Sequence, residues 1–114
     1  MTQQQIRRIR QLNMRIGNKN LKIANLDRIR KAVDKIDGKI LKLLNLRASK
    51  ALLIGDEKKK AGLPVVDLKR EKQIIERMIK MNNGPLSDEQ VARLYKSIIS
   101  SCRNLQKKIH EGGE

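Results

Sequence analysis

The residues of this sequence that could carry chemistry are basic side chains set into an apolar helix face. Apolar residues recur at steps of three and four between Leu26 and Ile54, which is the spacing of one face of an α-helix. On a helical projection, Arg30, Arg47 and Lys58 fall inside this apolar arc. Because burying an unpaired charge is costly, these three cations require either internal ion pairs or an anionic ligand.

The spacing of the three cations favours a bound anion. Asp37 lies in the same arc and can neutralise one cation, but not all three. Arg47 and Lys58 are eleven residues apart, so they share a face within about 20° and lie about 16 Å apart along the axis. Their long side chains can clasp a small anion. Arg30 lies about 25 Å from Arg47 on the same helix, so we expect it to reach that anion only from a second copy of the chain.

Two later segments also carry polar residues on apolar faces. Glu71 lies in the middle of the second stripe with Arg70 at its edge, and Gln106 follows Cys102 by one turn in the third. Each has a structural alternative. Glu71 could pair with Arg47 or Lys58. Gln106 could bond a backbone carbonyl, and Cys102 could be a small core residue.

The inward-facing set as a whole is cationic, with one carboxylate and one amide. It suits a small dianion that carries a hydroxyl group and an ether-like acceptor. The sequence shows no nucleophile–base pair and no pair of catalytic carboxylates. With one cysteine and one histidine, it lacks the ligands of a metal cluster, so no metal or cofactor is predicted. An enzyme of this kind works by orientation and electrostatics.

The elements that must position these residues are predicted to be three helices, one long and two shorter, in an all-α fold. The long helix begins after Asn25 as its N-cap and ends before Gly62. The second helix runs from Asp67 to about position 82. The third opens with a capping box, Ser-Asp-Glu-Gln, at residues 87–90.

Domain organisation follows from these elements. Residues 1–24 have a weak apolar periodicity that Gly17 and Asn18 interrupt, so we predict a flexible basic arm there, with partial helix as the alternative. A helical domain is predicted over residues 25–110 and a C-terminal tail over residues 111–114. With one Tyr and no Phe or Trp, the core must be aliphatic. The two shorter helices, about 24 and 34 Å long, cannot cover the stripe of the long one, which predicts a homodimer with paired long helices. The sequence shows no membrane-spanning run and no signal peptide, so a cytoplasmic location is expected.

Five short motifs follow one another between Leu26 and Gln106: L-x-x-I-R-x-x-x-D-x-I-D, L-x-x-R, G-x-x-K, D-x-x-R-E and I-I-x-x-x-x-x-x-Q. Each motif is weak alone, but their order and spacing are specific. In these motifs the chain resembles the all-helical chorismate mutases. The resemblance implies an intertwined helical homodimer and an isomerase that converts chorismate to prephenate in aromatic amino-acid biosynthesis.

The resemblance also implies roles for the inward cations. Arg47 and Arg30 of the partner subunit would clamp the carboxylates of the substrate. Lys58 would hold a carboxylate and the ether oxygen, and Gln106 would donate a hydrogen bond to the same ether oxygen. The reaction then needs no acid–base or covalent step.

Further roles are implied for the second and third helices. Glu71, with backbone near Asp67, would bind the ring hydroxyl of the substrate, and Arg70 would add positive field. Cys102 stands where the family commonly has serine, and a thiol is a poorer hydrogen-bond donor. The basic arm has no counterpart in the family pattern. Because the chain ends soon after the third helix, a monofunctional enzyme is expected, and a fragment of a larger protein is the alternative.

Three alternative functions remain open. An isochorismate-pyruvate lyase shares this scaffold and has similar site residues. The net charge of +15 is also compatible with a basic helical module that binds nucleic acid, although charges on inner helix faces argue against that. A structural coiled-coil adaptor is the third option, but it does not explain why Lys58 and Gln106 face inward.

Overall fold

The computed structural model describes residues 2–16 and 19–112, and within these ranges every regular element is a helix. The helices are α1 (Gln3–Ile16), α2 (Lys19–Ala61), α3 (Leu68–Met81) and α4 (Asp88–His110). The all-α prediction is confirmed. Among the described helices, none is long and apolar enough to cross a membrane.

The predicted number of three helices was too low, because residues 1–24, which were interpreted as a basic arm, contain α1 and the start of α2. Helix α2 begins at Lys19, so Asn25, which was predicted to be an N-cap, lies inside it. Helix α1 opens with a reciprocal cap: the Gln5 amide donates to Thr2 Oγ1 (3.2 Å), and the Thr2 amide donates to Gln5 Oε1 (2.8 Å). Local capping and good helix formers thus outweigh the weak apolar periodicity of this segment. The predicted interruption at Gly17 and Asn18 lies outside the described residues.

The boundaries of the two shorter helices agree with the sequence prediction. Asp67 caps α3 by accepting a hydrogen bond from the Arg70 amide (3.0 Å). Ser87 and Gln90 form the predicted capping box of α4, with contacts of 3.1 and 2.9 Å. Helix α2 ends at Ala61, and the next residue, Gly62, has a positive φ of 69°, a conformation that favours glycine.

The chain divides into two compact units, one up to Leu41 and one from Lys42 onward. In the first unit, the apolar stripe of α2 is open: Leu26, Val33 and Ile40 are all more than two-fifths exposed. The second unit contains the end of α2 together with α3 and α4, and the candidate site lies within it.

The core of the second unit is small and lies mainly on α2 and α4. Its buried members are Ala51, Val91, Ile99 and Cys102, and the amide side chain of Gln106 is buried with them. The apolar core among the described residues of this unit is therefore small.

Candidate active site

A cavity of about 360 Å³ opens between α2, α3 and α4 of the second unit. This volume is at the lower end of the range for small-molecule sites, about 300–1,000 Å³. The walls include six basic residues and two acidic ones: Arg47, Lys50, Lys58, Arg70, Arg77 and Arg103, with Asp67 and Glu71. The excess of positive charge indicates a site for a small anion.

Helices α2 and α4 bring Arg47 against Cys102 on one wall. Arg47 Nη1 donates to Cys102 Sγ at 3.1 Å. The cysteine is buried, while Arg47 is half-buried. A thiol sulfur is a weak acceptor, so this contact orients the guanidinium without neutralising its charge.

Lys58 and Gln106 form the second polar group of the pocket. Lys58 Nζ donates to the backbone carbonyl of Val65 (2.8 Å) and to Gln106 Oε1 (3.4 Å). Since the carbonyl end of Gln106 accepts from Lys58, its amide end carries the donor hydrogens. One alternative was that Gln106 would bond a backbone carbonyl. In the structure its side chain instead contacts the ammonium group of Lys58. The two side chains form one donor group made of an ammonium and an amide.

The approach of α4 to α2 at this group depends on Gly55. A Cβ atom added at Gly55 would lie 3.1–3.3 Å from Gln106 Cγ, Cβ and Cα. Glycine therefore allows the two helices to come close enough to place Gln106 beside Lys58. Gly55 is the glycine of the G-x-x-K motif, but the motif alone does not predict this role.

Helix α3 supplies the acidic side of the pocket. Asp67 is exposed and caps the helix, and Arg70 is exposed at the same end. Glu71 is half-buried, and its Oε1 lies 3.7 Å from Arg103 Nη1 of α4. The alternative in which Glu71 pairs with Arg47 or Lys58 is therefore not observed, because Arg103 takes that place.

Several pocket cations have no carboxylate partner. In the part of the chain that the structure describes, the ion pairs within 4 Å involve other basic residues, so Arg47, Lys58 and Arg70 are not paired with an acid. Arg47 and Lys58 are half-buried, and partly buried cations without counter-ions are costly, so an anionic ligand would offset that cost.

The structure brings together all but one of the predicted site residues. Those lining the pocket are Arg47, Lys58, Asp67, Arg70, Glu71, Cys102 and Gln106. Arg30 lies in the first unit, is exposed on α2 and is not among the lining residues. Asp37, proposed as an internal partner for a cation, is also exposed in the first unit.

Sequence reasoning missed Lys50, Arg77 and Arg103 as pocket residues. A signal for Arg103 was present: it follows Cys102 directly and lies about 60° from Gln106 around the helix. Lys50 falls just outside the apolar arc of α2, and Arg77 directly precedes a stripe residue of α3, Met78. These residues lie at the edges of apolar helix faces, and a projection of one helix does not show whether an edge residue lies in a pocket.

The fold and the pocket together define a class of protein: a small all-helical chain with a cationic pocket of a size suited to a small-molecule ligand. The family described as "Chorismate mutase type II" matches residues 29–107. The chain belongs to this family, which confirms the resemblance seen in the motifs.

Individual relatives differ in length. The chain is 37% identical over 90 residues to "Chorismate mutase" of Methanocaldococcus jannaschii, covering 78% of this chain and 91% of that protein. It is 42% identical over 88 residues to "Bifunctional chorismate mutase/prephenate dehydratase" of Aquifex aeolicus, covering 74% of this chain but only 24% of that protein. The chain thus spans about a quarter of the length of the bifunctional relatives.

A solved structure has a similar fold. Form II of the chorismate mutase from Thermus thermophilus matches with a TM-score of 0.73 and 32% identity, over 74% of this chain and 96% of that one. The agreement in fold and in length is consistent with the family assignment.

Proposed function

We propose that this chain is a chorismate mutase that converts chorismate to prephenate. The observation that carries the proposal is the joint donor group of Lys58 and Gln106, which lines the same cationic pocket as Arg47. Family membership and the relative of similar length that is named "Chorismate mutase" support it.

The reaction is an intramolecular rearrangement in which one C–O bond breaks and one C–C bond forms. No atom enters or leaves, so the site needs no nucleophile, base or redox group. The substrate is a flexible dianion that must fold before it reacts. Cations that hold both carboxylates remove this conformational freedom before the barrier is crossed.

Electrostatic stabilisation is assigned to Lys58 and Gln106. As the C–O bond breaks, negative charge develops on the ether oxygen. Donors already fixed beside that oxygen stabilise the transition state more than the bound substrate. The hydrogen bond of Lys58 to the Val65 carbonyl (2.8 Å) holds its ammonium group in place for this task.

The remaining roles concern binding. Arg47 holds one carboxylate, Arg70 contributes positive field, and Glu71, with backbone near Asp67, accepts a hydrogen bond from the ring hydroxyl. Cys102 lies beside Arg47 and contacts the same carboxylate. In this proposal a second copy of the chain supplies its Arg30 to the other carboxylate.

A homodimer is part of the proposal. The stripe of apolar residues on α2, from Leu26 to Ile40, is open to solvent in the single chain, and a second copy offers a stripe of the same shape and chemistry. A mass in solution of twice the 13.1 kDa of one chain would support this, and a monomer at assay concentration would contradict it. The cytoplasmic location stays a prediction of the sequence.

The decisive experiment follows the ultraviolet absorbance of chorismate in the presence of purified protein. We expect chorismate to disappear with formation of an equal amount of prephenate. Formation of salicylate and pyruvate from isochorismate, without mutase turnover, would instead identify the lyase. A protein that turns over neither substrate but binds nucleic acid with a steep salt dependence would favour the basic binding module.

A further inference from the structure

Glu71 and Arg103 form an ion pair inside the pocket. Glu71 has a proposed role in binding the ring hydroxyl, but Arg103 has none so far. Arg103 Nη1 and Glu71 Oε1 are 3.7 Å apart, and the two side chains are only 28% and 22% exposed. The other ion pairs of the described residues, such as Lys60–Asp56 and Lys72–Glu76, lie on exposed surfaces. A pair shielded from water in this way is screened less and holds its geometry more firmly.

The position of Glu71 makes such a partner necessary. Its carboxylate lines a pocket that also contains Arg47, Lys58 and Arg70. A carboxylate free to rotate among these cations would pair with one of them and compete with an anionic substrate. Arg103 approaches from α4 and engages Oε1, while Arg47 and Lys58 contact Cys102 and Gln106 instead.

The Glu71 carboxylate can bind a second partner while it remains paired with the Arg103 guanidinium. An ionised carboxylate offers about four lone-pair sites on two oxygens, so Glu71 can face Arg103 and still accept a hydrogen bond from a hydroxyl group. The Arg103–Glu71 contact, at 3.7 Å, is an ion pair and not a hydrogen bond. The attraction between the two charges therefore draws the carboxylate toward α4, where the planar fork of the guanidinium offers two donors on one side. A lysine at this position would supply charge but no fork.

We propose that Arg103 is a positioning residue that fixes Glu71 toward the ring hydroxyl of the substrate and away from the cations that bind its carboxylates. This inference rests on the proposed function of the pocket. Arg103 acts through Glu71 and makes no direct contact with the substrate.

A double-mutant cycle tests the inference with chorismate as substrate. We expect Arg103→Gln to lower kcat/KM by about threefold to thirtyfold, which lies within the range of coupling between directly interacting residues, and mostly through a higher KM. In the Glu71→Gln background the same substitution should have almost no effect, because the group on which Arg103 acts is gone. Arg103→Lys should recover part of the loss.

Arg93→Gln is the matched control, since Arg93 is an exposed arginine of the same helix that does not line the pocket. It removes the same charge and should leave kcat/KM unchanged. Circular dichroism of each variant shows whether the helices are intact, and Arg103→Lys retains the charge if Arg103→Gln fails to fold.

The outcomes separate the inference from the function on which it rests. Equal losses from Arg103→Gln in the wild-type and Glu71→Gln backgrounds would show that Arg103 binds substrate directly and would overturn the positioning role. Unchanged kinetics in Arg103→Gln would also overturn it. A folded wild-type protein that does not form prephenate would overturn the proposed function itself, before any variant is compared.

Discussion

At the scale of single residues, basic side chains that are close neighbours in the sequence have different surroundings. Lys58 and Lys60 lie two positions apart on α2, but Lys58 turns to the Val65 carbonyl and Gln106, while Lys60 pairs with Asp56 at 3.1 Å on an exposed surface. The hydrogen bond to Asp56, together with the negative charges of Asp56 and Glu57, raises the pKa of Lys60 above its ordinary value. Neighbouring lysines thus serve different purposes, one in the pocket and one on the solvated face.

Replacement of Lys58 should therefore abolish most of the activity. We expect Lys58→Ala to lower kcat by about two to three decades, because a charged donor to the ether oxygen is lost in the transition state. The measurement is the initial rate of chorismate loss at saturating substrate. Lys60→Ala is the control and should retain wild-type kcat. Normal turnover by a helical Lys58→Ala protein would remove Lys58 from the mechanism.

Cys102 gives a second prediction at this scale. Its sulfur accepts from Arg47 at 3.1 Å, but its thiol is a weak donor to a substrate carboxylate. We expect Cys102→Ser to lower the KM for chorismate by about twofold to tenfold, the equivalent of one ordinary hydrogen bond, with kcat little changed. Cys102→Ala removes the donor without adding one and should not lower KM. An equal decrease in both variants would show that the effect is steric.

At the scale of elements, the crossing of α2 and α4 determines where the donors lie. The two helices lie close together at Gly55, where any side chain would meet Gln106. Because the atoms in question include the backbone Cα of Gln106, the strain cannot be relieved by rotating the far end of a side chain. The spacing between the two helices is therefore a direct determinant of the Lys58–Gln106 contact.

A methyl group at Gly55 should weaken catalysis more than stability. We expect Gly55→Ala to shift α4 by a few tenths of an ångström at Gln106 and to lower kcat by about tenfold or more, since small misplacements of donors are costly. Gly38→Ala on the same helix is the control, because its Cβ meets nothing within 4 Å. That variant should gain about 0.5–1 kcal/mol in unfolding free energy. Thermal melts and chorismate kinetics of both proteins are the measurements, and unchanged kcat in Gly55→Ala would contradict the argument.

The helix N-termini show which local features could be predicted from the sequence. Asp67 and Ser87 are strong local signals, and both cap the helices that they predict. The cap at Thr2 is of the same kind, but the weak apolar periodicity of the first residues hid it and led to the prediction of a flexible arm.

Candidate pocket residues could be predicted where a polar group interrupts an apolar stripe, as Lys58 and Gln106 do. Arg103 and the contact at Gly55 could not be predicted in this way. They depend on how closely a neighbouring helix approaches, and the projection of one helix contains no such distance.

At the scale of the whole molecule, the proposed site is incomplete in one chain. Arg30 is exposed and does not line the pocket, and it lies seventeen residues before Arg47 in the sequence, too far along a helix for both to hold one small anion. The apolar stripe around Arg30, which includes Leu26, Ile29 and Val33, is open in the single chain. A second copy that covers this stripe would bury apolar surface and could supply its Arg30 to the pocket in the same step.

A mixing experiment with two inactive variants tests the shared site. Arg30→Ala and Arg47→Ala homodimers should each lose about two to three decades in kcat/KM, since each lacks one carboxylate clamp. In a mixed dimer, the Arg47 of the first chain meets the Arg30 of the second, so one of the two sites is complete. Random reassembly of equal amounts makes about half of the dimers mixed, so we expect about a quarter of wild-type activity.

Reassembly of Arg47→Ala with Lys58→Ala is the control. In the proposed site, Arg47 and Lys58 of one chain serve the same pocket, so each pocket of the mixed dimer lacks one of the two and activity should not return. If mixed dimers are seen by mass spectrometry but the Arg30 and Arg47 mixture shows no recovery, each pocket works with the residues of its own chain. Recovery in the control would show that Arg47 and Lys58 of one chain do not serve the same pocket.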